Sequence, residues 1–177
     1  MWHKRILIMM LLVTALVAGV LLRRNQLHQT ESHQIAVSDL PDFQFPDVTG
    51  KPQSIKQWHN KVLVINFWAT WCPPCLEELP EFNRLQVQFQ SSDVQFIGVA
   101  LDEINEVQTV TARLGIVYPQ LIAGDSGIKL SRALGNPVSA LPFTVLVDRQ
   151  GHIYQRHAGS YNSSELQAEI AQLLKKY

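Results

Sequence analysis

Cysteine is nearly absent: the 177-residue chain has two, Cys72 and Cys75, separated by two residues. A framework of several disulfides is thereby excluded, and so is a four-cysteine zinc or iron–sulfur site. Charge is also sparse, at 17% of residues, and shows no excess of either sign, with 15 Lys and Arg against 15 Asp and Glu. Without a basic surplus the chain lacks the electrostatic footprint of a nucleic-acid binder, and no such partner is expected. The balance hides an asymmetry. Lys4, Arg5, Arg23 and Arg24 lie in the first 24 positions, which leaves 11 basic against 15 acidic residues in the remainder. No internal repeat and no second domain is visible, and the length suits one domain with a real core.

Apolar residues are plentiful, at 46%, and one long run of them opens the chain. Ile6 to Leu22 is a stretch of 17 uncharged residues flanked by Lys4-Arg5 and Arg23-Arg24. As a helix it reaches the short end of what spans a bilayer. A cleaved secretory signal is the competing reading, since Ala15, Ala18 and Gly19 are small; the apolar run continues past them to Leu22 without a clean cleavage site. Residues 1–24 are therefore expected to be an uncleaved anchor, residues 25–39 a polar tether, and residues 40–177 the folded domain. Two basic residues on each side leave the orientation undetermined by charge.

Within that domain, Asp42 to Phe45 alternates as a short strand would, and Pro46 to Pro52 reads as a turn. Lys61–Trp68 is a β-branched and aromatic run suited to a strand buried on both faces. From Pro73 to about Gln90 the period changes to 3.6, with Leu76, Leu79, Phe82, Leu85 and Phe89 on one stripe. Pro80 sits inside that helix and is expected to kink it. Strands follow at Val94–Ala100, Tyr118–Ile122, Phe143–Val147 and His152–His157. Helices follow at Glu103–Leu114, Ile128–Leu134 and from Ser163 or Ser164 to Lys175. The turn Asp148-Arg149-Gln150-Gly151 makes the last two strands a hairpin. The order βαβαβαββα, after a short N-terminal addition, predicts an α/β fold of three layers around a mixed sheet.

The cysteines stand at a strand-to-helix junction, in Trp71-Cys72-Pro73-Pro74-Cys75. Zinc uses the same spacing but needs further ligands, and sequence does not place His59 or His157 beside the pair. A purely structural disulfide closing so small a loop would restrain little unfolded-state entropy. A redox role has a mechanism. With Cys72 as N-cap, Pro73 takes N1, where proline is tolerated, and Pro74 takes N2. The remaining donor for a Cys72 thiolate is then the N–H of Cys75 at N3, which together with the helix terminus favours the charged sulfur. Cys72 is the expected attacking thiolate and Cys75 the resolving one. No cofactor and no metal are called for. Leu141-Pro142-Phe143 precedes a core strand and in isolation reads as an ordinary trans proline.

The run from Asn66 to Phe82, NFWATWCPPCLEELPEF, resembles the thioredoxin superfamily, and more narrowly the membrane-anchored thiol–disulfide reductases of the TlpA/ResA/CcmG type. The resemblance extends over residues 40–177 and includes Leu141-Pro142 followed by FTVLVDRQG. It implies a thioredoxin-like fold with an N-terminal strand extension, an insertion within Asp102–Gly135, and a redox-active Cys72–Cys75 disulfide. It further implies that Pro142 is cis beside that disulfide and that Leu141 offers backbone groups to a substrate chain. Thioredoxin carries a buried Asp six residues before its first active-site cysteine, where this chain has Asn66. Glu78 matches the acidic residue that the anchored reductases hold near the dithiol and is expected to help deprotonate Cys75. The competing reading puts Glu77, Glu78 and Glu81 together on a solvated helix face. Trp71 is expected on the exposed lip of the site and Trp58 in ordinary packing.

The resemblance implies a protein-disulfide reductase on the periplasmic side of a bacterial inner membrane. Its substrates would be apo-cytochrome c or other exported proteins, and its electrons would come from a transmembrane thiol carrier. The same exchange in the oxidase or isomerase direction is the nearest alternative. A peroxidase of the peroxiredoxin kind is disfavoured by Ala69 and Ile65, where that family has Thr and Pro. A thioredoxin-like copper chaperone would want a longer spacer between its cysteines and a His ligand.

Overall fold

The structure, a computed structural model, describes residues 39–176. The apolar run at 6–22 and almost all of the expected tether lie outside those residues. Among the described residues no helix is long and apolar enough to cross a membrane.

Seven successive β-branched, apolar and aromatic positions with one Asn form β3 (Val62–Trp68), and every one of them is buried. Both faces of this strand are covered, as its unbroken apolar run requires. It lies at the centre of a five-stranded sheet of order β5-β4-β3-β6-β7, in which β4 is Val94–Ala100, β5 Gln120–Ile122, β6 Phe143–Val147 and β7 Ile153–Ala158. β3, β4 and β5 run parallel, while β6 is antiparallel to β3 and β7 to β6, so the sheet is mixed as expected.

Connection direction decides which face each helix covers. α1 (Pro73–Phe89) and α2 (Ile104–Leu114) join successive parallel strands stepping the same way, so right-handed crossovers put both on one face. α4 (Ser163–Lys176) joins them there, and Leu79, Phe82, Leu85, Val107, Val110, Leu166 and Ile170 fill one core with Val64 and Phe96. α3 (Gly124–Ala133) returns from the β5 edge toward β6 and covers the opposite face, packing Leu130 and Leu134 against Ile65, Phe67 and Val99. Relative to a βαβαββα core, α2 and β5 are the expected insertion, and they widen the sheet by one edge strand.

The N-terminal extension is more than one strand. β1 (Gln44–Pro46) pairs antiparallel with β2 (Pro52–Ser54), and a 3₁₀ turn, Ile55–Trp58, follows. Asp47 holds the hairpin loop: its Oδ1 accepts from Thr49 N at 2.7 Å and Lys51 N at 3.1 Å, and its Oδ2 from Gln53 Nε2 at 2.7 Å. Hydrogen bonding, led by the Thr49 hydroxyl, pulls its carboxyl down to about 2. Trp58 is buried in the second core, which fits its reading as packing.

Several boundaries differ from the sequence reading by one to four residues. α3 begins at Gly124 rather than Ile128, and Gly127 in its first turn packs so closely that a Cβ there would lie 2.3 Å from Leu101 Cδ2. β5 begins at Gln120, two residues later than expected, and β7 at Ile153, one later. α1 runs unbroken through Pro80, which leaves one carbonyl of the preceding turn without its helical donor.

A polar row crosses the sheet beneath α1. Gln120, Gly98, Asn66, Thr144 and His157 are successive cross-strand partners on β5, β4, β3, β6 and β7. Gly98 leaves the space in which the Gln120 amide lies, and Gln120 Oε1 accepts from Trp68 Nε1 at 2.9 Å. A Cβ at position 98 would stand 1.9 Å from that oxygen. Gly98→Ala should therefore break the Trp68–Gln120 bond and lower stability by about 2 kcal/mol, the scale of overpacking plus a lost buried hydrogen bond. Urea unfolding checks this, and an unchanged midpoint would contradict it.

Candidate active site

The dithiol sits where β3 ends. Ala69–Cys72 closes a tight turn through the Cys72 N–H to Ala69 O bond at 3.2 Å, and α1 starts immediately after it. Cys72 is the N-cap, with extended φ and ψ of −102° and 99°, and prolines occupy N1 and N2. The two sulfurs are joined in a disulfide, with 5.3 Å between the Cα atoms. Cys72 retains 5% exposure and Cys75 none, an asymmetry that leaves the first sulfur as the one a partner can reach.

The Leu141–Pro142 peptide bond is cis. Pro142 lies at the same end of the sheet as the dithiol, because the next residue, Phe143, pairs with Phe67 near the end of β3. Its carbonyl accepts from Gly159 N at 2.8 Å, which ties this loop to the end of β7. Leu141 is half-buried and packs against the core cluster that contains both cysteines. Trp71 is 67% exposed.

Glu78 lies three residues beyond Cys75 on the same buried stripe of α1. Only 5% of it is exposed, whereas Glu77 and Glu81 face solvent, so the three glutamates do not form a common solvated face. Its Oε1 accepts from Asn66 Nδ2 at 2.8 Å and its Oε2 from Tyr161 N at 3.1 Å. Burial raises its carboxyl from the ordinary 4.5 to about 7, against the opposing pull of the Tyr161 and Asn66 hydrogen bonds. Such a group exchanges a proton near neutrality. Asn66 Nδ2 also donates to Thr144 Oγ1 at 3.2 Å, and Asn66 Oδ1 is buried with no hydrogen-bond partner. That oxygen is suited to accept from a protonated Glu78 after the amide turns over, so the pair serves both protonation states.

His157 stacks on Tyr161, with ring centroids 4.0 Å apart, and its Nε2 faces Ser160 O at 3.1 Å. Among the described residues no group of three or more His, Cys, Asp and Glu side chains is arranged to hold a metal ion. Sequence reasoning missed Tyr161, Thr144, Gln120 and Asp102, all of which bond to the site or to the residues bordering it. Only the strand-facing polar residues within apolar runs, Thr144 and Gln120, carried any signal.

The Redoxin family model matches residues 36–173. ResA of Geobacillus thermodenitrificans, a thiol-disulfide oxidoreductase, is 30% identical over 168 residues, covering 94% of this chain and 92% of that protein. ResA of Bacillus anthracis is 28% identical over 167 residues, 94% of each chain. Among solved structures, a thioredoxin-family thiol:disulfide interchange protein from Chlorobium tepidum superposes with a TM-score of 0.72 at 26% identity, covering 78% of this chain and 97% of that one. A protein from the same organism assigned as the interchange protein DsbE gives 0.70 at 26% identity, with coverage of 78% and 96%. With the strand–dithiol–helix junction already in place, these matches identify the chain as a member of the redoxin family, a thioredoxin-like thiol–disulfide oxidoreductase of the TlpA/ResA/CcmG type.

Proposed function

We propose that the exchange runs in the reducing direction, on disulfides of exported proteins, from a domain held at the outer face of a bacterial inner membrane by the segment Ile6–Leu22. The observation that carries the direction is the first turn of α1. A strong oxidant is one whose reduced thiolate is well stabilised. Here Pro74 at N2 removes one of the two N–H groups from which an N-cap sulfur can accept, and the helix has no basic residue in its last turn or acidic residue in its first to alter its terminus. One such donor, Cys75 N–H, remains with the helix terminus, so the thiolate is stabilised, but less than by a full pair of N-cap donors, and the dithiol gives up its electrons more readily than that of a strong oxidant.

In each cycle the Cys72 thiolate attacks a substrate disulfide, forming a mixed disulfide and releasing one substrate thiolate. Glu78 takes the proton of Cys75, whose thiolate attacks the Cys72 sulfur. The second substrate sulfur leaves, and the Cys72–Cys75 disulfide forms. Two electrons pass to the substrate; a transmembrane thiol carrier restores them. Trp71, with Leu141 and the cis Pro142, forms the lip that receives the substrate chain. Apo-cytochrome c, which carries paired cysteines, is a substrate of the right chemistry. Equilibration with a glutathione or dithiothreitol buffer tests the direction: the pair should have a potential of about −250 mV or lower, in the thioredoxin range. A value near about −120 mV, that of a periplasmic oxidant, would reverse the assignment.

A further inference from the structure

We infer that Asp102 is a positioning residue for substrate recognition: its carboxylate fixes the turn that presents Trp71. The proposal rests on the reading of Trp71 as part of the lip. Thr70 and Trp71 are the two central residues of the turn closed by Cys72 N–H and Ala69 O. The N–H of a residue in Thr70's position points away from its own turn and needs an outside acceptor. Asp102, on the loop between β4 and α2, supplies it. Its Oδ2 accepts from Thr70 N at 2.6 Å and from Thr70 Oγ1 at 2.8 Å. Both bonds are short and charge-assisted, the strong class of hydrogen bond.

A second tie holds the same two loops together, Leu101 N–H to Trp68 O at 2.9 Å. Trp68, Thr70 and Cys72 are thus each pinned through the backbone, while Trp71 between them is 67% exposed, with most of its ring in solvent. Its ring direction is set by the backbone beneath it, and that backbone is set by Asp102. Without the carboxylate the turn keeps its own closing bond but loses its outside anchor. Cys72 remains the N-cap of α1, so the sulfur's chemistry stays as it was while the lip beside it loosens.

Two chromogenic probes separate these effects. The reduced full chain is mixed with 5,5′-dithiobis(2-nitrobenzoate), a small disulfide. It is also mixed with a short peptide whose single cysteine is held as a mixed disulfide with 2-nitro-5-thiobenzoate. Attack by Cys72 releases the coloured thiolate in both. Asp102→Ala should slow the peptide reaction by about tenfold, the size set by one charge-assisted hydrogen bond, and leave the small probe within about twofold. Asp102→Asn keeps an acceptor and should restore the peptide rate to within about threefold of wild type. Thr70→Val, which loses the hydroxyl but not the N–H, should fall between the two. Trp71→Ala should reproduce the peptide defect, and the double variant should show no further loss.

An equal loss on both probes would overturn the proposal, because Asp102 would then be shaping the thiol itself. A peptide defect in Trp71→Ala with none in Asp102→Ala would overturn the positioning role alone. A defect in Asp102→Ala with none in Trp71→Ala would instead contradict the lip reading on which the proposal rests.

Discussion

The reduced chain carrying Cys72→Ser is expected to exchange with protein disulfides at least about a thousandfold more slowly than wild type, since the substitution removes the sulfur that begins the reaction. Cys75→Ser should behave differently. Its first step survives, because Cys72 keeps its partial exposure and its place at the helix N-cap, and turnover stops at one equivalent. The asymmetry follows from where β3 delivers the chain: the N-cap position faces outward, and N3 is already one turn inside. Neither substitution should greatly affect folding, because a disulfide spanning three positions restrains the unfolded chain little. Rapid-mixing assays with a chromogenic disulfide measure both effects. Equal residual rates in the two variants would contradict the ordering of the sulfurs.

Glu78→Gln is expected to slow the second step, release of product by Cys75, by about a hundredfold, the lower range for a lost general acid–base group. It should also abolish an inflection near pH 7 in the rate of that step. The first step should be unchanged. Stability moves the opposite way. The folded carboxyl titrates at about 7 against an ordinary 4.5, so the folded state binds more protons than the unfolded state between those values. Stability is therefore full below pH 4.5, falls as pH rises toward 7, and stays reduced above it, by an amount on the order of 3 kcal/mol at the limit. The substituted amide has no charge to bury. It can accept from Tyr161 N and donate to Asn66 Oδ1, the oxygen that has no partner in the wild type. The variant should thus be slower in the second step yet more stable at about pH 8, and the gain should vanish at about pH 4. Urea titrations at the two pH values check this, and a variant less stable than wild type at the higher pH would contradict the account of Glu78.

Much of this was legible because the decisive signals are local. The continuous apolar run of β3 declares a strand covered on both faces, and the change of period at Pro73 marks the junction. The order Cys-Pro-Pro-Cys there fixes which sulfur caps the helix. The residues that complete the site were not legible, because they are brought in from far along the chain. Glu78 was set apart from Glu77 and Glu81 only by the family resemblance; what separates them physically is the rotation of α1 and a backbone donor 83 residues later, Tyr161. Asp102 is 32 residues from the Thr70 that it holds, in a loop whose sequence reads as a plain helix start. Gln86 is polar yet buried, since its Oε1 accepts from Phe96 N at 2.8 Å along the part of β4 that β5 is too short to cover. The cis geometry of Pro142 followed from a family resemblance and not from Leu-Pro itself, which fits a trans strand start equally well.

The most direct measurement is of the trapped intermediate. The Cys75→Ser chain is incubated with an oxidised protein substrate, quenched with acid, digested without reduction and mapped by mass spectrometry. The account predicts substrate cysteine joined to Cys72, in about one equivalent per chain, and no adduct in the matching Cys72→Ser chain. Substrate found on Cys75 in the Cys72→Ser chain, with none on Cys72 in the other, would contradict it.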